Sequence, residues 1–361
     1  MNKKVGILNS GGDCPGLNTV ISAIVRRGLQ LGYEFIGFEK GWEGILSPMS
    51  YFDLNLERIR GISHLSGTIL RTVNKGRFAG KAGTGNFNVI PPEILLEAKN
   101  NLRNIGIDSL IVIGGDGTLS GAMQLADIGV NIVGIPKSID NDLNLTDMTF
   151  GFSTSANVVS ESLTKIHPTA ESHERVFIVE TMGRFAGWIA LYGGLGGGAQ
   201  CILIPEIPFK TEKIIEFLRK RKSLNRLSTI IVIAEGAKEK NMESLISTDI
   251  HASEIVLGGI SQYLEKRINK LAPEEFDVRT LILGHLQRGG TPLVLDRILA
   301  IRYGIHAIEA LDQGKFGEMV ALNGNDITTV KIVDAVKTLR IIPQDSDIIH
   351  SARSIDVCFG D

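Results

Sequence analysis

Apolar residues along this chain gather in short, nearly unbroken runs separated by longer amphipathic stretches. The runs are KVGILN (4–9), FIGFE (35–39), SLIVIGG (109–115), IVGIP (132–136), RVFIVE (175–180), CILIP (201–205), STIIVIAEG (228–236) and RTLILGH (279–285). Near-continuous Val, Ile and Leu, without alternation, is the pattern of parallel strands covered on both faces. Between the runs, 17–30 places Leu17, Ile21, Ile24 and Val25 on one helical face; 256–269 and the more basic 211–221 also read as helices. Strand and helix alternating over 361 residues predict an α/β fold of two doubly wound domains with mainly parallel sheets. Ligands in such folds bind beyond the carboxyl ends of the strands. The loops after the runs are therefore where chemistry is expected.

Composition removes several classes of partner. Lys and Arg (38) nearly balance Asp and Glu (40), and this near-neutrality argues against a nucleic-acid or anionic-membrane binder. Cys14, Cys201 and Cys358 are odd in number and far apart, which suits reduced cytoplasmic thiols and not a disulfide framework. The apolar run after Lys3 and Lys4 is too short for a signal peptide. Phe185–Pro205 carries no charge over 21 positions, but six glycines interrupt it, so it reads as a buried helix followed by a buried strand.

Three of the post-strand loops are unusual. NSGGDCPGLN (9–18) has Gly11 and Gly12 for close backbone approach and Pro15 for the first turn of a helix, whose free N–H groups attract phosphate. It matches neither of the common nucleotide fingerprints, and a plain tight turn would also account for it. IGGDGT (113–118) puts Asp116 between Gly115 and Gly117, where a carboxylate makes sense as a ligand of phosphate-bound Mg²⁺. This pattern points to a phosphoryl donor. In IVGIPKSIDND (132–142), Asp140 is a candidate general base for a hydroxyl, Asp142 shapes its field, and Lys137 supplies positive charge to a transferring group. The plainer alternative is that 140–142 is a turn capping the next helix. Arg175, Arg184, Arg279, His285 and Arg288 add cations that together suit a phosphorylated substrate, though any one alone would more often be a surface ion-pair partner, and Glu235 could accept a sugar hydroxyl or merely cap a turn. The glycine- and base-rich stretch 76–90 reads as a loop, either a cover or a solvated surface. No zinc spacing is present among the seven histidines.

Taken together, GGDCPGLN, GGDGT, PKSIDND, ETMGRFAG and GHLQRGGTP followed by LDR, in that order over nearly the whole chain, resemble the phosphofructokinase family. The resemblance implies an ATP-dependent 6-phosphofructokinase of glycolysis, with the active site in the cleft between two domains. These would be 1–151 plus 286–330 for the donor and 152–285 plus 331–361 for the sugar phosphate. Asp140 would take the proton of the sugar 1-hydroxyl, with Ser138 and Ile139 completing its loop. Met182, Gly183, Arg184 and Glu235 would line the sugar site, and His285, Leu286, Gln287 and Arg288 would hold the 6-phosphate. Arg175 and Arg279 would reach across from a neighbouring subunit, implying a homotetramer or homodimer. Gly12, Asn74, Lys75, Gly115, Asp116, Gly117 and Thr118 would hold the donor phosphates, with Mg²⁺ on Asp116.

The chain departs from the family pattern in two ways. Lys137 replaces the usual glycine of bacterial allosteric members and is typical of pyrophosphate-using relatives. Those relatives, however, usually carry aspartate in place of Gly117, which crowds out the α-phosphate of ATP. Since steric exclusion outweighs an added cation, ATP is the expected donor and pyrophosphate the alternative. In the first helix, one of two effector-site arginines is Arg26 but the other position is Ser22, while Glu206 matches the effector-site glutamate. Control by ADP or phosphoenolpyruvate in the usual bacterial way is therefore not expected.

Overall fold

The computed structural model describes residues 3–73, 76–78, 89–242, 247–249 and 256–361. The chain begins β1 (Lys3–Asn9), α1 (Leu17–Gln30), β2 (Tyr33–Phe38), β3 (Tyr51–Leu54), α2 (Pro92–Asn104), β4 (Ser109–Gly114), α3 (Asp116–Asp127) and β5 (Asn131–Pro136). It continues α4 (Phe152–Ser172), β6 (Val176–Thr181), α5 (Trp188–Gly196), β7 (Cys201–Leu203), α6 (Thr211–Ser223), β8 (Thr229–Ala234), β9 (Ser247–Asp249), β10 (Val256–Leu257), α7 (Ile260–Leu271) and β11 (Val278–Ile282). Last come α8 (Val294–Asp312), β12 (Glu318–Asn323), β13 (Asp326–Lys331), α9 (Ile332–Ala335) and α10 (Asp347–Ser354).

The chain divides into two compact units. The first comprises 1–139, 143–154 and 288–340, the second 140–142, 155–287 and 341–361. In the first unit one sheet runs β13-β12-β5-β4-β1-β2-β3. Its inner pairings are parallel, and only the outermost strands β3 and β13 are antiparallel. Ile7, Leu8, Leu110, Ile111, Val112, Ile113, Ile132 and Val133 are fully buried, as apolar runs covered on both faces require. Burying each such side chain contributes about 1.5–3 kcal/mol. On one face α1 and α8 approach closely at Gly304, where a Cβ would come 2.8 Å from the Val20 carbonyl oxygen. The second unit has a parallel sheet ordered β11-β6-β8-β7. Ile178, Leu203, Ile231 and Ile233 pack there against Ile214, Ile260 and Leu264 of α6 and α7.

The eight apolar runs correspond to β1, β2, β4, β5, β6, β7, β8 and β11, and Phe185–Pro205 contains α5 and β7. Among the described residues, no helix is long and apolar enough to cross a membrane. Two expectations need correction. Pro15 is not in the first turn of α1, because Gly16 (φ 105°) intervenes as the N-cap. The helix expected over 256–269 starts only at Ile260, since Gly258 and Gly259 have φ of 148° and 87° and Val256–Leu257 form a strand.

Helices of the second unit begin without caps of their own. None of α5, α6 or α7 has a side-chain cap at its N-cap position. Acids from elsewhere in the chain do this work. Glu206 accepts the Gly187 N–H at the start of α5, and Glu239 accepts Thr211 N–H and Oγ1 at the start of α6. Glu180, at the end of β6, accepts Gly259 N–H (2.9 Å), Ser261 N–H (3.0 Å) and Ser261 Oγ (2.6 Å) at the start of α7. In the first unit, Asp296 of α8 accepts Gly151 N–H and Thr154 N–H at the start of α4. A carboxylate there satisfies donors that a helix leaves open and complements its dipole. Glu180→Ala strands three donors in a buried setting. It is expected to cost about 2–4 kcal/mol in denaturant unfolding, with Glu180→Gln recovering part of the loss.

Candidate active site

Strand order in the first unit fixes where a ligand can sit. From β1 the chain crosses to β2 on one side of the sheet, whereas from β4 it crosses to β5 on the other. Since β1 and β4 are neighbours, their carboxyl ends form the topological switch point of a doubly wound sheet. The loops leaving it are Ser10–Gly16 and Gly115–Gly117, the two glycine-rich stretches singled out above. Gly11 has φ 80°, and a Cβ there would lie 3.4 Å from Thr118 Oγ1 and 3.5 Å from Lys137 Nζ. Gly11, Thr118 and Lys137 thus converge from three loops. At Gly114 a Cβ would strike the Thr118 side chain at 2.3 Å, so the turn into α3 closes only over glycine. Half-buried Gly115, Asp116 and Gly117 open α3, whose first-turn N–H groups favour an anion.

Lys137 is 4 % exposed, and its Nζ donates to Ser10 O (3.0 Å) and to Gly12 O. Arg288 Nη1 donates to Asp13 O (3.1 Å) on the same loop, and a Cβ on Gly12 would meet its guanidinium at 2.4 Å. Two cations therefore grip the β1–α1 loop, whose backbone turns only because it is glycine there. Ser138 O accepts Thr149 Oγ1, and Ile139 is buried. Asp140, Asn141 and Asp142 are 6 %, 3 % and 6 % exposed, with Asn141 in the left-handed region (φ 54°). The helix-capping alternative fails, because α4 does not begin until Phe152. Surface decoration fails too, since burying a carboxylate is costly unless it is compensated.

In the second unit β8, β6 and β11 are adjacent, which gathers Glu235, Met182–Arg184 and 283–287 at neighbouring carboxyl ends. Glu235 Oε1 accepts the Arg184 N–H (2.9 Å). Gln287, fully buried, accepts the Met182 N–H (3.2 Å) and donates to Gly284 O. The turn is strained, with φ of 142° at Gly183 and 50° at Arg184. It also depends on Gly236, where a Cβ would fall 1.9 Å from Arg184 O. Burial, reinforced by the neighbouring Asp140 carboxylate, raises the pKa of Glu235 to about 7. His285 and Leu286 are exposed.

Two arginines lie elsewhere. Arg175 precedes β6 and Arg279 is the second residue of β11, so both stand at the amino end of the sheet, about 20 Å along a six-residue strand from Met182. They share Asp277, at 2.8 Å for Arg175 and 2.7 Å for Arg279. The Arg175 hydrogen bond and the nearby Arg279 charge hold that carboxyl below its usual range. Arg288, three residues after His285, turns to the β1–α1 loop. Asn74, Lys75 and most of the stretch 76–90 lie outside the described residues. Sequence reasoning missed Gly236 and Asp277. The first could have been suspected from a glycine directly after a strand-end glutamate; nothing in the sequence marks the second.

Two doubly wound α/β units, one with a glycine-lined switch point and the other with a carboxylate pair and a strained arginine turn, define the class. The chain belongs to the phosphofructokinase family, whose model matches residues 4–311. It is 43 % identical over 359 residues to the ATP-dependent 6-phosphofructokinase of Chloroflexus aurantiacus, covering 99 % of this chain and 98 % of that one. It is equally 43 % identical, over 360 residues, to the pyrophosphate–fructose 6-phosphate 1-phosphotransferase of Amycolatopsis mediterranei, covering 99 % and 100 %. Among solved structures it is similar to phosphofructokinase from Saccharomyces cerevisiae (TM-score 0.79, 30 % identity). That match covers 93 % of this chain and 45 % of the yeast chain, so this chain spans less than half its length.

The raised pKa of Glu235 has a consequence for stability. Its protonated form favours the fold, so the contribution is complete below the ordinary carboxylate range and is lost as pH rises through about 7. Glu235→Gln keeps an acceptor for the Arg184 N–H and removes the ionisation. The variant is expected to match the parent near pH 5 and to exceed it by about 2 kcal/mol near pH 8 in denaturant unfolding. An identical gap at both pH values would count against the shift.

Proposed function

We propose that this chain transfers the γ-phosphoryl group of ATP to the 1-hydroxyl of fructose 6-phosphate, giving fructose 1,6-bisphosphate and ADP in glycolysis. The observation that carries the reading is the chain segment 137–140. It places a buried ammonium held by the β1–α1 loop three residues from a buried carboxylate, so connectivity alone keeps their Cα atoms within about 11 Å. Transfer of a phosphoryl group to oxygen needs a stabilised donor phosphate beside a base.

On the donor side, Gly12, Gly115, Gly117 and Thr118 would offer backbone and hydroxyl donors to the phosphates, joined by Asn74 and Lys75. Asp116 would hold Mg²⁺ together with the donor's own phosphates. A single carboxylate at a helix start fits an ion that keeps one or two protein carboxylates and draws its other ligands from phosphate and water. When bound, the ion neutralises phosphate charge and helps orient the donor. On the acceptor side, Asp140 would take the hydroxyl proton, and Lys137 and Arg184 would stabilise the charge developing on the transferring group. Ser138, Ile139, Met182, Gly183 and Glu235 would hold the sugar; His285, Leu286, Gln287 and Arg288 would bind its 6-phosphate. Arg175 and Arg279, at the opposite end of their sheet, suit a site on a neighbouring subunit, so the working form would be a cytoplasmic homotetramer or homodimer.

Pyrophosphate is the second donor to consider, because Lys137 matches the relatives that use it and one such relative is 43 % identical. Against it stands Gly117, which leaves room for a nucleoside-bearing phosphate. Two experiments test these readings. Asp140→Ser should lower kcat by about 10²–10⁴-fold with little change in fructose 6-phosphate binding; retained turnover would remove Asp140 as the base. Side-by-side assays with Mg²⁺-ATP and Mg²⁺-pyrophosphate should favour ATP, and Gly117→Asp should abolish ATP use. An unchanged ATP rate in that variant would refute the steric argument.

A further inference from the structure

The last segment of the second unit returns to its own sheet through one isolated bridge. Cys358 forms a parallel bridge with Cys201 of β7, with Cys358 N–H donating to Gln200 O (3.0 Å) and Ile202 N–H to Cys358 O (2.8 Å). Lys210 N–H donates to Gly360 O (2.7 Å), which closes the tail onto the start of α6. Bridge partners on neighbouring parallel strands project their side chains to the same face, and here those side chains are two thiols that share a hydrogen bond. Cys201 is fully buried, whereas Cys358 is half-buried and can be reached from outside.

We propose that Cys201 and Cys358 form a reversible dithiol–disulfide pair, oxidised by hydroperoxides, that locks the C-terminal tail to the edge of β7. Paired Cα atoms in a sheet lie near the lower end of the range a disulfide spans, so no rearrangement of the backbone is needed. Cys358 is the attacking sulfur: the hydrogen bond from Cys201 holds its pKa below the ordinary thiol range, and Gly360 N–H donates to Sγ at 3.3 Å. Burial pushes the Cys201 thiol up, which suits the resolving role. In the first step the Cys358 thiolate attacks a peroxide oxygen, the O–O bond breaks, and hydroxide leaves a sulfenic acid. In the second, Cys201 sulfur attacks Cys358 sulfur, the S–O bond breaks, and the Cys201 proton leaves with the hydroxyl as water. Two thiols and one hydrogen peroxide thus give one disulfide and two waters.

The test is hydrogen peroxide titration of the full chain, followed by intact mass and peptide mapping under non-reducing conditions. The expected result is loss of two hydrogens, a crosslinked peptide joining Cys201 to Cys358, Cys14 still free, and reversal by dithiothreitol. The oxidised tail should also resist carboxypeptidase. In Cys201→Ser, oxidation should stop at a sulfenic acid on Cys358 that dimedone traps. Sulfinic acid on Cys358 without a crosslink, a bond between two chains, or two unreacted thiols would each overturn the proposal, and the unsubstituted chain alone suffices to reveal them.

Discussion

A buried ammonium has few ways to be tolerated, and the way chosen for Lys137 organises the loops around it. Deprived of water, its Nζ needs oxygen acceptors, and it finds them in the carbonyls of Ser10 and Gly12. Those carbonyls can turn towards β5 only if the β1–α1 loop bends back, which Gly11 permits through a positive φ. The same bend brings Gly11 against Thr118, and hence the start of α3 against the loop. Arg288 then holds the next carbonyl, that of Asp13. One lysine at the end of β5 thereby ties together the loops at the carboxyl ends of β1, β4 and β5. An apolar residue at 137 would leave the carbonyls of Ser10 and Gly12 without that donor, and the loop without the reason for its shape.

The second organising device is the remote carboxylate. Glycines such as Gly187 and Gly259 stand at helix N-caps where a serine or aspartate would ordinarily serve. They let the backbone approach its neighbours, and at Gly187 a Cβ would sit 2.5 Å from Ile204. The capping acceptor is then supplied by an acid distant in sequence. Because Glu180 ends β6 and Glu206 follows β7, each such acid fixes a helix start to a strand end. Glu206 also accepts the Ile342 N–H (3.0 Å), so it fastens the returning C-terminal segment as well. This bears on Glu206 as the match to the family's effector-site glutamate, where the usual effector control was not expected. Its carboxylate is committed to backbone donors within the unit, and Arg26 bonds Ser22 Oγ within α1.

Much of this was legible in the sequence. Unbroken apolar runs marked eight strands, most of them buried on both faces, while β12 escaped although its Met319, Val320 and Ala321 are fully buried. The edge strands β13 and β3 of the first sheet were not legible for the converse reason, their partial exposure. DITTVK of β13 alternates between half-buried and exposed positions, and β3 is four residues long with two of them exposed. At the site, glycine clusters and the Lys137–Asp142 segment stood out because local spacing is part of their chemistry. What escaped was whatever depends on long-range pairing. Asp296 capping a helix some 140 residues earlier has no local signal. The hydrogen bond of Arg288 to the Asp13 carbonyl likewise joins residues 275 positions apart in sequence.

Arg175 and Arg279 show how fold geometry constrains a functional reading. Both were grouped with the strand-end cations because both adjoin apolar runs, yet polarity matters: in a parallel sheet the amino and carboxyl ends of every strand lie on opposite sides. Arg175 and Arg279 flank β6 and β11 at the amino side, while Met182, Glu235 and Gln287 stand at the carboxyl side. A single sheet therefore offers two arrays of polar groups that cannot meet on one small ligand. The amino-side array is already arranged, since Asp277 between the two guanidiniums holds them side by side at the end of adjacent strands. Pairing with one exposed carboxylate leaves the two arginines a net positive charge, and an exposed ion pair contributes only about 0–1 kcal/mol. Two arginines sharing one exposed acid thus do little to brace the sheet.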